Sequence, residues 1–273
     1  MPGAEYKNMN IYSWNMLFRN RELDRAFEFI TRSDFDIFCL QEVPEAFLER
    51  LQTLPYFIDS HSDFISYRSD VERLFKHGTT ERNFVVTLSK HPIATQGEIF
   101  FQDYWLFLPW RTRIFVKLMW PFYFSKISNR GGLYTDVSIK GVPMRVFNLH
   151  LILAHPEWRL KEFEMAMTNR DRARLSIVCG DFNIIESPRV SILNWLLGGS
   201  FTDAFFYRRE RMHIEKRFIE HELVNPLRGK KTHSFAWSQL DHILVSKSFS
   251  IKKAEVISDR FGSDHHPIRV EIK

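Results

Sequence analysis

The sequence predicts a layered α/β fold, in which β-sheet forms the core and helices cover it. Short apolar runs rich in Ile, Val, Phe and Tyr recur along the chain and end at Gly, Pro, Asn, Asp or Ser, as buried strands do. Segments with helical spacing separate some of these runs, and strands outnumber helices. With 273 residues, 44% of them apolar, the chain can bury a substantial core. No repeat, low-complexity tract or linker divides it, so we expect one domain over residues 1–273.

The strand predictions rest on these apolar runs and on the turn residues that bound them. They cover residues 9–15, 36–42, 63–67, 83–89, 133–139, 144–151, 176–183, 240–246, 254–258 and 266–272.

Two helices are predicted in the first fifth of the chain. Leu23, Phe27 and Ile30 follow the i, i+4, i+7 spacing of one helix face, and Asn20 is a plausible N-cap. Pro44 can open a second, short helix because proline fits the first turn. The apolar side chains that this second helix would bury are Phe47, Leu48 and Leu51.

Two further helices are predicted in the second half. Pro156 can open one of them. The other begins at Ser187-Pro188 and ends at Gly198-Gly199. Their apolar faces comprise Leu160, Phe163 and Met167 in the first, and Ile192, Leu193 and Leu196 in the second.

Charge and cysteine content indicate which partners and which cellular compartment to expect. The net charge of +5 favours polyanionic partners, which include nucleic acid, phosphorylated substrates and an anionic membrane surface. Cys39 and Cys179 each lie inside an apolar run and are expected to be buried thiols, which fits a reducing compartment. Residues 1–10 lack an apolar stretch of signal-peptide length, so a cytoplasmic location is the default expectation.

Residues 104–124 form a segment rich in aromatic and basic side chains. We expect an insertion into the domain around residues 103–126. Arg111, Arg113 and Lys117 argue against a membrane-spanning helix, because each central charge costs about 2.5–3.5 kcal/mol on insertion scales. One interpretation is a packed, aromatic part of the core. The other is a surface that binds an anionic membrane or stacks on nucleic-acid bases.

Residues 207–231 form a second unusual segment, with eight Lys and Arg against four Glu. The segment either steers an anionic substrate toward the protein or is a solvated helix and loop.

Polar side chains close many of the predicted strands, which suggests one active site at the rim of a sheet. Carboxylate and amide oxygens predominate among them, and such hard ligands suit Mg²⁺ or Mn²⁺ better than Zn²⁺. Histidines among carboxylates suit acid–base work or charge stabilisation near neutral pH. Together they indicate metal-assisted hydrolysis of a phosphate ester. The candidate residues are Asn15, Glu42, His150, Asp181, Asn183, Asp241, Asp264 and His265.

The order of these residues resembles the endonuclease/exonuclease/phosphatase superfamily, which has the DNase-I-like fold. Taken together the motifs are specific to the superfamily but not to one branch. The resemblance implies a four-layer sandwich, in which two packed mixed β-sheets are flanked by helices. The motifs are Ser13-Trp14-Asn15, Leu40-Gln41-Glu42, Asn148-Leu149-His150-Leu151, Gly180-Asp181-Phe182-Asn183, Leu240-Asp241-His242 and Ser263-Asp264-His265-His266-Pro267.

The resemblance also implies roles around a divalent metal. Glu42 resembles the principal carboxylate ligand, and Asn15 its neighbour, which holds the metal directly or through water. Asp264 resembles the aspartate that contributes near the metal. Mg²⁺ is the expected cofactor, and Mn²⁺ is possible.

Further roles follow for the reacting phosphate. His265 resembles the histidine that stabilises charge on the scissile phosphate, and Asp241 the carboxylate that orients it. Asp181 and Asn183 resemble the pair that positions the attacking water, with Asp181 preferred as general base. His150 resembles a histidine that protonates or stabilises the leaving group.

The expected function is a Mg²⁺-dependent phosphodiesterase, with nucleic acid as the favoured substrate. The alternatives are a sphingomyelinase-like lipid phosphodiesterase, a phosphomonoesterase, and a non-catalytic binding module on the same fold. Apurinic endonucleases usually carry Tyr and Asn at the Asn148-Leu149-His150 motif, which makes an abasic-site role less favoured. Glu81 is a candidate acidic partner for His150. The sequence gives no oligomeric state.

Overall fold

The computed structural model describes residues 8–68, 79–102, 108–119 and 131–273. Its strands form two mixed sheets of six strands each. The first sheet has the order β11-β12-β1-β2-β4-β3, and the second has the order β5-β6-β7-β8-β10-β9. The strands are β1 (Met9–Asn15), β2 (Ile37–Pro44), β3 (Phe57–Arg68), β4 (Thr79–Ser89), β5 (Ile93–Phe100), β6 (Gly131–Ile139), β7 (Val142–His150), β8 (Leu175–Asp181), β9 (Leu223–Val224), β10 (Asp241–Ser246), β11 (Ile251–Val256) and β12 (Ile268–Ile272).

The helices lie outside the two sheets. They are α1 (Leu23–Arg32), α2 (Glu45–Leu51), α3 (Trp110–Met119), α4 (Pro156–Met167), α5 (Ser191–Leu196), α6 (Phe201–Phe205) and α7 (Arg209–Glu220).

Three apolar clusters hold these layers together. Between the sheets, residues such as Ile11 and Cys39 of the first sheet share a cluster with Cys179 and Ile243 of the second. A second cluster joins the first sheet to α1 and α2, and a third joins the second sheet to α4 and α7. The layers therefore run helices, sheet, sheet, helices, and the DNase-I-like architecture is confirmed. Cys39 and Cys179 are buried free thiols, as expected.

The structure corrects several element predictions. The predicted strands are all present with adjusted ends, but β5 and the two-residue β9 were missed. In β5 most side chains are exposed or only partly buried, so its sequence lacks a strong apolar pattern. The α1 N-cap position is Glu22 and not Asn20; the Asn20 side chain accepts a bond from the Glu22 amide (2.8 Å), forming the turn before the helix.

The helix predicted from Ser187-Pro188 begins later, at Ser191. Ser187 instead closes a turn, because its carbonyl accepts a bond from the Val190 amide at 3.2 Å. The sequence also missed α3 and α6, whereas α7 lies in residues 207–231, for which a solvated helix was one of the two interpretations.

The two unusual segments contain helices. In residues 104–124 the described part is Leu108 through α3, and Trp105, Trp120 and Pro121 lie outside the described residues. None of the described helices is both long and apolar enough to cross a membrane. In residues 207–231, α7 is not simply a solvated face, because Arg211 is buried against Glu186 and His242.

The central strands bring their carboxyl ends to one rim. β1 runs parallel to β2, and β7 runs parallel to β8. The β7–β8 pair depends on Gly180, whose φ is +142°. A Cβ at this position would lie 1.8 Å from the Leu149 carbonyl oxygen. Only glycine lets β8 approach β7 this closely just before Asp181.

Replacing Gly180 with alanine tests this packing. We expect Gly180→Ala to lower the free energy of unfolding by about 3 kcal/mol or more, because steric overlap adds to backbone strain. Gly141→Ala is the control: its φ is +82°, but a Cβ there meets no atom within 4 Å. That control should cost only about 1–2 kcal/mol. Urea denaturation compares them, and equal midpoints for Gly180→Ala and the wild type would contradict the packing argument.

Candidate active site

Asp181, the last residue of β8, is the centre of the polar cluster at the rim. Its Oδ2 accepts a hydrogen bond from Asn15 Nδ2 at 2.9 Å, across the gap between the two sheets. The same oxygen lies 3.7 Å from Nε2 of His150 and 3.7 Å from Nε2 of His265. Asp181 is 1% exposed. The structure thus brings three of the other expected residues, Asn15, His150 and His265, together around Oδ2 of Asp181.

Asn15 links Asp181 to Glu42. Its Nδ2 also donates to Glu42 Oε1 at 3.0 Å, while its Oδ1 accepts from the Leu17 amide at 3.0 Å. The second Glu42 oxygen accepts from the Phe18 amide at 3.1 Å. The Asn15 amide nitrogen therefore faces the Glu42 and Asp181 carboxylates, and Oδ1 keeps one lone pair beyond the bond to Leu17.

The backbone at Glu42 is strained. Its φ is +56°, in the left-handed region that non-glycine residues rarely adopt. The position coincides with a bulge in β2, where the register with β4 shifts between Leu40 and Val43. The Glu42 amide donates to Asp63 Oδ2 at 3.1 Å, which holds the bulge. Burial raises the pKa of Glu42, against the lowering effect of His150. Strain of this kind clusters at functional sites.

His150 pairs with Asp63, a residue that the sequence did not identify as functional. The distance from His150 Nδ1 to Asp63 Oδ2 is 2.7 Å, and Asp63 is 1% exposed. Asp63 began a predicted strand, but in the structure it lies within β3 at a register shift between Ser62 and Phe64. The side chain of Glu81, the partner proposed from sequence, lies outside the described residues.

Asp63 and the other carboxylates determine the charge state of His150. Burial lowers the pKa of His150, but Asp63, then Asp181 and Glu42, outweigh burial and raise it to about 9. The ring is therefore protonated at neutral pH, with Nε2 directed toward Asp181 and Glu42.

His265 has an equivalent partner in Asp241. Its Nδ1 lies 2.9 Å from Asp241 Oδ2, and Asp241 is the register partner of Asp181 in the second sheet. Burial lowers the pKa of His265, but Asp241 and Asp181 raise it to about 10. Burial raises the pKa of Asp241, against the lowering effect of His265. Asp241 thus orients a protonated imidazole whose Nε2 faces the centre of the site.

Asn183 is fixed beside Asp181. Its amide donates to Asp181 Oδ1 at 2.8 Å, and its side chain donates to the Leu151 carbonyl at 2.9 Å. The φ of Asn183 is +53°, a conformation that asparagine tolerates better than most residues.

Asp264 lies at the rim of the cluster. Its Oδ1 is 3.9 Å from His265 Nε2, and no hydrogen bond or ion pair within the described residues joins it to Glu42. Burial raises the pKa of Asp264, but His233 and His265 lower it to about 2, so it is ionised. The sequence did not identify His233 as a site residue, although it lies only seven residues before Leu240.

The donor set fits a divalent cation. The carboxyl groups of the cluster outnumber its histidines, and their oxygens are the type of ligand that a divalent cation prefers. Among the described residues, the buried Oδ1 atoms of Asp63, Asp241 and Asp264 have no hydrogen-bond partner. Groups of ligand atoms within 4.8 Å of one another comprise Asp181, Asp241 and His265, and His233, Asp264 and His265. An oxygen-rich set of this kind suits Mg²⁺ or Mn²⁺.

Comparison with known proteins agrees with this geometry. The model of the Endonuclease/Exonuclease/phosphatase family matches residues 12–265. The chain belongs to this family. The site residues from Asn15 to His265 all fall within the matched region. No curated protein matches the chain.

Solved structures of the family share the fold at low sequence identity. An endonuclease/exonuclease/phosphatase from Beutenbergia cavernae DSM 12333 aligns with a TM-score of 0.65 and 17% identity, over 98% of this chain and 72% of that one. A family protein from Leptotrichia buccalis C-1013-b gives 0.63 and 16%, over 97% and 99%. The 3′ phosphatase NExo from Neisseria, bound to a product DNA hairpin, gives 0.58 and 17%, over 97% and 99%. At these identities the likeness shows the fold alone.

Neutralising Asp63 tests the charge state of His150. In Asp63→Asn the anion that stabilises the imidazolium is lost while burial remains, so the His150 pKa should fall from about 9 by about 1 to 3 pH units. Histidine NMR titration of the metal-free protein measures it. Asp59→Asn is the control, because Asp59 lies on the same strand and bonds to Thr135 (3.0 Å). A His150 pKa unchanged in Asp63→Asn would contradict the pairing.

Proposed function

We propose that this protein is a Mg²⁺-dependent phosphodiesterase that cleaves its substrate by attack of an activated water, with nucleic acid as the favoured substrate. The observation that carries the proposal is the position of Asp181 Oδ2, 3.7 Å from each of two histidine nitrogens and bonded to Asn15. A base between two protonated imidazoles is suited to a reaction that removes a proton from water and places negative charge on phosphorus oxygens.

Glu42 would hold the metal together with Asp264 at the edge of the cluster, and Asn15 would fix the Glu42 carboxylate. Bound there, a divalent cation supplies Lewis-acid polarisation of the phosphate. The strained bulge keeps Glu42 directed inward, and the Asp63 bond to its amide prevents the strand from relaxing.

Side chains of the protein carry out the other steps of the reaction. His265, held at Nδ1 by Asp241, directs Nε2–H toward a non-bridging phosphate oxygen and stabilises its added charge. Asp181 takes the proton of the attacking water, while Asn183 holds the second Asp181 oxygen in place. His150, protonated through its pairing with Asp63, donates the Nε2 proton to the leaving oxygen. No covalent enzyme intermediate is required.

A cavity of about 430 Å³ opens at Pro44, two residues after Glu42 in the chain, and offers room for a group attached to the phosphate. Phe18 and Pro44 line it together with Arg82 and Asn83. In the described part of the chain the buried Asn83 Nδ2 has no hydrogen-bond partner, which makes it a candidate donor to a substrate oxygen. This cavity supports a diester with substituents on both sides of phosphorus. The net charge of +5 and the DNA hairpin bound to NExo support nucleic acid.

Hydrolysis assays with Mg²⁺ and with EDTA test the proposal. The panel comprises plasmid DNA, single-stranded DNA, abasic duplex, RNA, sphingomyelin vesicles and an inositol polyphosphate. We expect turnover of a nucleic acid that needs Mg²⁺, and a loss of about 10²-fold or more in Glu42→Gln and in His265→Ala. Both variants should retain the wild-type melting transition, and Glu28→Gln, at an exposed glutamate of α1, is the activity control. Full turnover in either site variant would overturn the site assignment.

A lipid phosphodiester is the second candidate, favoured by the surface of α3. Trp110, Ile114 and Leu118 follow one another at helical spacing and are 76%, 50% and 73% exposed. Phe201 and Phe205 on the nearby α6 are exposed as well. Phe115 of α3 packs on a cluster that contains Ile152 and Ile185, which lie two and four residues after the ends of β7 and β8. Exposed apolar side chains beside basic ones suit the interface of an anionic membrane.

Vesicle sedimentation tests the lipid candidate. Trp110→Ala combined with Leu118→Ala should reduce binding to phosphatidylserine vesicles at least about tenfold, because both side chains would leave the acyl boundary. Phe57→Ala, at an exposed phenylalanine of β3, is the control. If the wild-type protein does not sediment with the vesicles, or if the double variant binds as the wild type does, the lipid candidate is wrong.

A further inference from the structure

His233 lies against the catalytic cluster in the loop that precedes β10. Its ring meets the His265 ring edge-on, with centroids 4.7 Å apart and an interplanar angle of 86°. The backbones of the two residues form an isolated β-bridge. The His233 side chain is 12% exposed. His233 is therefore a fixed, mostly buried residue that packs against the candidate active site.

The loop is anchored on both sides of this ring. Thr232 Oγ1 accepts from the Asp241 amide at 2.9 Å, and the Thr232 carbonyl accepts from the His266 amide at 2.8 Å. The Trp237 amide closes the loop on the His233 carbonyl at 3.1 Å. These bonds fix His233 relative to both Asp241 and the strand end that carries His265.

One hydrogen bond determines the tautomer of His233. The Ala236 amide donates to His233 Nδ1 at 3.0 Å. A backbone N–H can only donate, so Nδ1 must be the unprotonated, accepting nitrogen. The remaining nitrogen, Nε2, then carries the ring proton, and the imidazole is neutral. His233 Nε2 faces Asp264 Oδ2 at 3.4 Å.

We infer that His233 is a positioning residue, which directs its Nε2–H at Oδ2 of Asp264 and leaves Asp264 Oδ1 for the divalent cation. Oδ1 is buried and meets no hydrogen-bond partner within the residues that the structure describes, although Asp264 lies at the rim. The 3.4 Å separation is longer than a strong hydrogen bond. This inference rests on the proposed function, since it assigns Asp264 to the metal.

The same atoms offer a competing arrangement, a separate metal site. His233, Asp264 and His265 place ligand atoms within 4.8 Å of one another. A histidine binds metal through an unprotonated nitrogen, however, and the Ala236 bond places the proton on the nitrogen that faces the cluster. His233 is therefore a donor to the carboxylate and not a ligand. This arrangement is typical of groups that orient metal ligands.

Two variants of His233 separate orientation from packing. His233→Gln retains an N–H donor near the Nε2 position, whereas His233→Phe keeps a ring and removes the donor. Mn²⁺ binding to the substrate-free protein, followed by calorimetry, is the readout. We expect His233→Phe to weaken Mn²⁺ binding about tenfold or more, with His233→Gln close to the wild type. Equal melting temperatures for both variants would show that the loop is intact.

The outcomes distinguish this inference from the function on which it rests. If the wild type binds no Mn²⁺, or if Glu42→Gln binds as tightly as the wild type, the proposed metal site itself fails. If Glu42→Gln loses binding and His233→Phe does not, only the role of His233 is wrong. A second bound Mn²⁺ that both His233 variants lose would establish the separate metal site instead.

Nitrogen chemical shifts of the histidine rings give an independent check on the metal-free protein. The His233 signals, identified by their loss in His233→Gln, should show a neutral ring protonated at Nε2. A ring protonated at Nδ1, or at both nitrogens, would overturn the inference.

Discussion

The hydrogen bond from Asn15 to Asp181 is the contact on which the site depends. It crosses from β1 of the first sheet to β8 of the second, at a point where both side chains are 1% exposed. Below it, Gln41 donates to Asn148 across the same gap at 2.7 Å. Apolar side chains fill the rest of the space between the sheets. Because buried polar groups are costly unless they are paired, these bonds fix the relative position of the two sheets and therefore of the residues at their rim.

The site combines buried charge with strained backbone. Each histidine is held by its own carboxylate, His150 by Asp63 and His265 by Asp241, and both rings are protonated at neutral pH. Such pairs do little for stability, because desolvation offsets their attraction. The left-handed backbone at Glu42 adds strain of about 1–3 kcal/mol. The surrounding sheets hold the buried charges and the strained backbone in place. The result is a preorganised set of hydrogen-bond donors and acceptors that suits a phosphate.

The sequence predicted the fold and most of the cluster because strand ends have recognisable chemistry. Asn15, Glu42, His150 and Asp181 each follow an apolar run, and parallel strands bring such ends together. The sequence did not predict a role for Asp63, because Asp63 lies inside β3 at a bulge that has no recognisable sequence pattern. His233 escaped for a similar reason, since its role depends on a loop closed by the Ala236 amide and on a distant aspartate. The apolar pattern of β5 was too weak to predict a strand, because most of its side chains are exposed or only partly buried.

The most direct test of the account is the position of metal and phosphate in crystals soaked with Mn²⁺ and inorganic phosphate. Anomalous scattering locates the Mn²⁺ without ambiguity. We expect Mn²⁺ on a Glu42 oxygen and on Asp264 Oδ1, with the phosphate bound to Nε2 of His150 and of His265. Mn²⁺ held by His233 and His265 without Glu42, or a phosphate that contacts neither His150 nor His265, would contradict it.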